Sequence, residues 1–557
     1  MLFSTLKRYA GVAIVAAALT MTGLFLTGCG GNGDDDLPDP ILALGTDAIM
    51  SLPADTAGEL TIMMWSGSGT FLRDVGRVYI PAAEIMGQNE AAVIATARAF
   101  NQIYPNIVIN VYARADGPND DYIPWHQYRL NFEMEFGHFP DIFAVYDLIG
   151  DITAGLVADI TIFQDDIVFQ AFNPAIMDMM NIGGRQWAVP QYIVPWGVFV
   201  NRSLADAQNL DMPSPQWTVD EYFRFIGNHS PNEWYGADAP PWVFADSGTR
   251  DFHYQLLHRH PGEPHVRLNS QATRDMLAMM PRATASTIWP QVALGNVADE
   301  FMDWWWGPRW FQQGRSLTHV GDPWFMGDFA NPNPEHWFHA AFTWDIFPRP
   351  ATPHMGTHVG MVLDPMAIRN FALLDNDPNL SAYEYHRLAI AWEFVKFMNG
   401  DTRAWAARAA QYFQDDYGVM APASNDSFPF VTGAAFYDQM EYWFRGGREL
   451  FRDPARMPGF HYVLEVWERG DIVANPDKVV PWYHEFEGTR RAIAYEWLRK
   501  YSADVTGAGE ADPHWLDMVL ARLPEWDAAI NQRFDEAWAA FYSALDRMYP
   551  VQVRGGR

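Results

Sequence analysis

The stretch Pro190–Phe225, PQYIVPWGVFVNRSLADAQNLDMPSPQWTVDEYFRF, decides the fold. Its apolar run Val194–Val200 has the composition of a buried strand and ends at Asn201. Further on, Thr218 and Glu221 have the spacing of a capping box, so a helix is expected to start there and to carry Tyr222, Phe223 and Phe225. A strand followed by a capped helix is a unit of α/β architecture, and the flanking sequence repeats it. Upstream, Leu60–Trp65 (LTIMMW) reads as a buried strand running into the loop Ser66-Gly67-Ser68-Gly69. Val93, Ala97, Phe100 and Tyr104 recur at helical spacing within Gln88–Tyr104, and Pro105 stops that helix. Ile107–Tyr112 and Asp141–Tyr146 (DIFAVY) read as further strands, so the region has the order of a βαβ unit in a parallel sheet. Downstream, Leu388, Ala391, Trp392, Val395 and Met398 share one face of a helix Tyr385–Asn399, with Gly400 as its expected C-cap. Regions 66–87 and 231–265 are rich in turn residues and read as surface insertions, and no internal repeat is present.

The N-terminus has a different character. Lys7 and Arg8 precede an apolar stretch, Ala10–Leu26, and the small residues Thr27 and Gly28 stand before Cys29, the single cysteine of 557 residues. This resembles a bacterial lipobox. The resemblance implies a signal peptide 1–28, cleavage before Cys29, diacylation of its thiol and attachment to the outer face of a cell membrane. An uncleaved transmembrane anchor is the alternative, although a span needs roughly 20 apolar residues. Gly30–Asp36 (GGNGDDD) reads as part of a flexible tether, 29–57. Two acyl chains matter, because one alone anchors only marginally.

With one cysteine no intramolecular disulfide can form, so stability must come from a core, and the chain is long enough to build one. The formal charge is −30, becoming −32 without the first 28 residues, which carry Lys7 and Arg8. Such a surface repels nucleic acid and disfavours anionic ligands. Some of the 24 tryptophans must fill core, but that many flat amphipathic rings also suit recognition of rings with one apolar face.

Pro190–Phe225 resembles the central signature of family 1 extracellular solute-binding proteins, the sugar-capturing subunits of ABC importers related to maltose-binding protein. That signature is a proline-containing crossover, a strand ending in Tyr-Asn, a helix, then Pro-x-x-Trp-Thr and an acidic helix. Here Val200-Asn201 stands in place of Tyr-Asn. Three further segments agree in order: Pro140-Asp141-Ile142 with Asp147; Phe311-Gln312-Gln313-Gly314-Arg315 followed by Gly321-Asp322-Pro323-Trp324; and Ala391–Met398 (AWEFVKFM). The likeness covers roughly residues 58–550. It implies an α/β protein of the periplasmic-binding-protein type II fold, with two three-layer α/β lobes and a ligand cleft between them. The lobes are expected at 58–192 with 356–405, and at 193–355 with 406–557. It also implies partners: a carbohydrate, most simply a neutral oligosaccharide, and the membrane permease of an ABC transporter. The lobes would close about the ligand by a hinge motion.

The resemblance places ligand-binding residues at Trp65, Asp147 and Trp324, from matching positions in the family, and loosely at Phe486. Trp196 lies at the crossover, and Trp344 and Asp345 (TWDIFP) precede the next one. An indole laid on a sugar's C–H face hides apolar area worth about 25 cal/mol per Å2. Ser66 and Ser68 offer hydroxyl donors, and Arg250 a guanidinium. A carboxylate such as Asp147 accepts sugar hydroxyls on two oxygens. Each has an ordinary competing reading: core tryptophan, helix N-cap for Asp147, turn serine, surface arginine. The family's stacking tryptophan three residues before Asp147 is Ala144 here. Trp306 and Trp310 have the spacing of one helix face and read as packing.

No cofactor motif, P-loop or Gly-x-Ser-x-Gly elbow is present. His253, His258, His260 and His265 lack a helical zinc spacing, and Asp375-Asn376-Asp377 lacks a full calcium loop. Two rival readings stay open: an exported glycoside hydrolase, which needs two carboxylates about 5–9 Å apart, and a lipid-anchored adhesin or scaffold contacting partners through the insertions.

Overall fold

In the computed structural model the strand read at Leu60–Trp65 extends over Gly58–Gly67 (β1), and every residue from Leu60 to Met64 is buried. Burial on both faces belongs to a strand inside a parallel sheet covered by helices. The structure describes mainly residues 50–115, 132–230, 233–238, 262–278, 302–320, 340–374, 381–445, 448–486 and 515–549, with short gaps inside those ranges. After β1 come β2 (Phe71–Leu72), β3 (Ile107–Ala115), β4 (Ile142–Ala144) and β5 (Val189–Trp196). Then follow β6 (Val198–Asn201), β7 (Tyr235–Ala237), β8 (Ser316–His319) and β9 (Trp344–Phe347), and finally β10 (Val359–Ile368) and β11 (Ile472–Ala474). Among the described residues the first sheet has seven strands, ordered β11-β10-β4-β1-β3-β2 with β5 also paired to β10; the second has four, β9-β6-β8-β7. β1 runs parallel to β3 and β4, whereas β10 runs antiparallel to β4 and β5.

Helix α1 (Gln88–Ile103) connects β1 to β3 and completes the expected βαβ unit. Helix α2 (Leu148–Thr153) follows β4, and α3 (Arg202–Ala207) follows β6. Helix α4 (Val219–Ile226) begins with the capping box read from sequence: Thr218 N donates to Glu221 Oε2 at 2.7 Å and Glu221 N donates to Thr218 Oγ1 at 3.3 Å. Its Tyr222, Phe223 and Phe225 join Trp217, Val198, Val200, Leu317 and Phe347 in the core of the second sheet.

Helix α5 (Ala382–Gly400) starts earlier than its apolar periodicity suggests, at a second capping box formed by Ser381 and Glu384. Gly400 does not terminate it in the expected way; Asp401 is the C-cap and also the N-cap of α6 (Thr402–Ala410). Gly400 is needed for packing instead, since a Cβ there would lie 2.3 Å from Val168 Cγ1. Three more helices follow, α7 (Ala434–Trp443), α8 (Pro458–Glu468) and α9 (Trp515–Met548). Trp310 opens a turn rather than lying on a helix face, with the Arg315 guanidinium 3.9 Å from its ring centroid. The following Phe311–Gly314 is likewise a turn, closed by Gly314 N donating to Phe311 O at 2.8 Å.

The chain leaves the first sheet at Gly197. β5 stays paired to β10 through Trp196, opposite Gly360, so the crossing lies a few residues beyond a boundary at 192. Gly197 fits because a Cβ would sit 2.4 Å from Phe347 O. The return runs from β9 to β10, where Arg349 N donates to His358 O at 2.9 Å. A third passage leads from α8, which packs on β9, to β11. β11 lies inside the segment 406–557 expected in the second lobe, yet it pairs with β10, Ile472 opposite Val359, and so belongs to the first sheet.

The start of the described chain is pinned to α5. Glu393, buried, accepts on Oε1 from Ser51 N at 2.6 Å and Leu52 N at 3.2 Å and on Oε2 from Ser51 Oγ at 2.8 Å, while Lys396 Nζ lies 2.9 Å from Oε2. Among the described residues no helix is long and apolar enough to cross a membrane.

Candidate functional site

Ligands of open α/β sheets bind beyond the carboxyl ends of the parallel strands. Here that edge lies beyond β1 and β4. Trp65 is near the end of β1, and Tyr146 and Asp147 follow β4. Because β10 is antiparallel to β4, with Met366 opposite Ala144, Asp364 comes level with Tyr146. The chain after β11 folds over the same edge, where Leu148 N donates to Lys478 O at 2.8 Å.

Three rings form a row along it. Trp65 meets Tyr146 edge-on at 6.2 Å between centroids, and Tyr146 stacks on His484 at 5.9 Å with 9° between planes. Trp65 and Tyr146 are half-buried and His484 is exposed, so the row is open to solvent on one side. Nearby Trp482 takes a left-handed backbone, φ 64°, a conformation that costs about 1–3 kcal/mol in a bulky residue and tends to occur where function constrains the chain.

Charges underlie the row. Lys478 Nζ lies 3.0 Å from Asp364 Oδ1 and 3.2 Å from Asp477 Oδ2. Burial alone would lower the Lys478 pKa, but the two carboxylates outweigh it and raise it, so the ammonium stays charged. Burial pushes the Asp477 carboxyl up, against the pull of Lys478. Two carboxyl groups thus share one ammonium close to His484, and carboxyl oxygens are good acceptors of hydroxyl hydrogen bonds.

Trp196 ends β5 at the junction of the two sheets. Arg349 Cζ lies 5.2 Å from its ring centroid, a cation–π contact. Gly360 opposite is required here, since a Cβ would lie 2.8 Å from Trp196 Cβ. The indole Nε1 is buried and finds no hydrogen-bond partner among the described residues. A buried unpaired donor is costly, so one at a lobe junction suits a group that arrives with a ligand.

The remaining residues named from sequence fall elsewhere. Asp147 is exposed on the same edge as Trp65 and caps α2, accepting from Gly150 N at 2.9 Å. Ser68 turns toward α1, where its Oγ donates to Glu90 Oε1 at 2.6 Å. Trp344 is buried between Phe199 and Phe451. Asp345 is buried and closes the start of α8, accepting from Gly459 N at 2.8 Å and Phe460 N at 3.1 Å. Phe486 is buried against Phe534 and Tyr483. Cys29, Arg250, Trp324, the run Trp304–Trp306, Asp375–Asp377 and the side chain of Ser66 lie outside the described residues. Tyr146, Asp364, Lys478, Trp482, His484 and Arg349 were not singled out from sequence. They come from four separate segments, and only topology brings them together.

No protein-family model matches the sequence, and no curated protein matches it. Solved structures do. The sugar-binding protein MalE from Xanthomonas citri matches with a TM-score of 0.52 and 13% identity, over 86% of this chain and 99% of its own. The cyclic alpha-maltosyl-1,6-maltose binding protein from Arthrobacter globiformis matches at 0.51 and 15%, over 86% and 100%. An ABC substrate-binding protein from Listeria monocytogenes, solved with cycloalternan, matches at 0.50 and 14%, over 84% and 99%. Added to the two sheets and their repeated crossings, these matches give the chain the fold of the ABC solute-binding proteins: the type II periplasmic-binding-protein fold, with two α/β lobes.

Proposed function

We propose that this protein captures a carbohydrate outside the cell and hands it to the permease of an ABC transporter, without catalysing a reaction. The observation that carries this reading is the open row Trp65–Tyr146–His484 on the carboxyl edge of the first sheet, within a fold whose solved examples above are described by their sugars. Flat rings bury the C–H faces of a saccharide, while Asp147, the acidic cluster at Lys478 and the Trp196 indole offer complementary hydrogen-bonding groups. Trp324, from the other lobe, is proposed as a further stacking platform, and Cys29 as the lipidated N-terminus that holds the protein at the outer membrane face.

Among the described residues the carboxyl groups with raised pKa speak against a hydrolase. Asp345 holds the start of α8, Asp141 is bound to Arg387 at 2.6 Å, and Asp477 is tied to Lys478. None of these three is placed as a proton donor facing a second, free carboxylate, as glycoside hydrolysis requires.

The test is a thermal-shift screen of residues 30–557 against mono- and oligosaccharides. Ligand at a hundredfold its Kd stabilises by about 2.7 kcal/mol, easily visible in the melting temperature. A shift with one saccharide class and no turnover supports the proposal. A shift only with charged metabolites, or hydrolysis of the sugar, rejects it. Trp324→Ala is expected to weaken binding at least tenfold.

A further inference from the structure

A segment that belongs in sequence to the second lobe is fastened to a helix of the first. Residues 262–270 lie between β7 and β8, both strands of the second sheet, and they dock on α9. Asp527, Asn531 and Asp535, one turn apart on one face of α9, each hold a different residue of the segment. Asp527 Oδ1 accepts from Asn269 N at 3.1 Å. Asn531 pairs with both polar groups of one residue: its Oδ1 accepts from Val266 N at 3.0 Å and its Nδ2 donates to Val266 O at 2.9 Å. Asp535 Oδ1 lies 2.8 Å from Nε2 of the buried His265. The His265 ring stacks on Phe534, 5.4 Å between centroids.

Helix α9 itself rests on the first lobe. It packs on α2, and just beyond its end Tyr549 OH donates to Val157 O at 2.6 Å, while Arg185 Nη2 donates to Tyr549 O at 3.2 Å. Phe534 also touches Trp482 at 5.1 Å and Phe486 at 5.4 Å. Through Phe534 the docked segment is linked to Trp482 and Phe486, on either side of His484 in the chain.

We propose that residues 262–270 and the Asp527/Asn531/Asp535 face of α9 form an interlobe clasp that restrains opening and slows ligand release. Backbone-directed bonds at two positions fix the register of the segment, which apolar contact alone would leave free to slide. Through Phe534 the clasp touches Trp482 and Phe486, which flank His484 of the aromatic row in the chain, so engagement of the clasp and occupancy of the site are coupled. The effect on ligand release rests on the saccharide reading above; the restraint on the lobes does not.

The experiment places spin labels at Asp206→Cys on α3 and Tyr385→Cys on α5, both exposed, in a Cys29→Ala background. Asn531→Asp keeps the size and the acceptor of the side chain but removes its donor to Val266 O. Asp527→Ala serves as the second variant if the first does not fold. The expected result is a longer and broader interlobe distance without ligand, faster amide exchange at 264–269, and roughly fivefold faster dissociation of the saccharide found by screening, the loss expected for one net hydrogen bond. Unchanged distances and exchange in the folded variants overturn the clasp, even where a saccharide binds. Changed distances in a protein that binds no saccharide keep the clasp and reject the transport reading.

Discussion

The rings of Tyr146 and His484 lie parallel, 5.9 Å apart, although 338 positions separate them in the chain. Tyr146 is the middle member of the row, touched by Trp65 on its other side. Tyr146→Ala is expected to weaken saccharide binding about tenfold, as loss of one stacking platform worth about 1.5 kcal/mol implies. Titration calorimetry of the variant checks this; an unchanged Kd would remove the row from the site.

Trp196 makes a separable prediction. Trp196→Phe keeps a ring beneath Arg349 but removes the buried indole N–H, which has no partner among the described residues. The ligand-free variant should be at least as stable as the parent, because an unsatisfied buried donor costs about 1–3 kcal/mol. Its affinity for ligand should fall severalfold. Loss of stability with affinity intact would mean that the N–H serves the fold.

Lys478 is flanked by Asp364 and Asp477. Replacing it by Met leaves two carboxylates facing each other without their cation, and removal of one partner from a buried ion pair costs about 3–5 kcal/mol. Urea unfolding at pH 7.5 should show a loss of that order. The loss should shrink in acid, because burial has already raised the Asp477 pKa and the carboxyl becomes neutral there. A loss independent of pH would point to packing.

Asp345 links stability to pH in the opposite sense from most carboxylates. Burial raises its pKa to about 6, although the N–H groups of Gly459, Ile346 and Phe460 favour the charged form. A carboxyl with a higher pKa folded than unfolded stabilises most when protonated. Its contribution is complete below about pH 4, near the unfolded pKa, and is lost as pH rises through about 6. Relative to Asp345→Asn, the parent protein should therefore gain about 1–3 kcal/mol between pH 7.5 and 5. Parallel melting curves for the two proteins across that range would contradict it.

Local signals carried the secondary structure well. Thr218 and Glu221 lie three residues apart, so their capping box is written in neighbouring positions, and β1, β3 and β4 follow the apolar runs, whereas β2 lies in a region read as a turn-rich insertion. The break at Gly197 was invisible because Val194–Val200 is uniformly apolar, while the reason for the glycine is Phe347 O, 150 residues away. Gly400 failed for the same reason: its neighbour Val168 is remote in sequence. In the candidate site, Trp65 and Asp147 are named from the family resemblance and Trp196 from its place at the crossover. Asp345 reads as a ligand-binding acid at a crossover until Gly459 and Phe460 are seen to hold it. Tyr146, Lys478 and His484 carry no local pattern, and a lysine paired with two aspartates is recognisable only once β10 and β11 lie side by side.

The Glu393 pin determines where force enters the molecule. A pull on the chain before Ser51 meets Glu393 first, and through it the shaft of α5, before it can reach β1. The load is taken up by a helix on the outer layer, and β1, the strand whose end carries Trp65, is shielded from shear. Under such a pull the ring row would keep its register, and the first bonds to yield would be those at Ser51 and Leu52, which re-form without refolding the sheet.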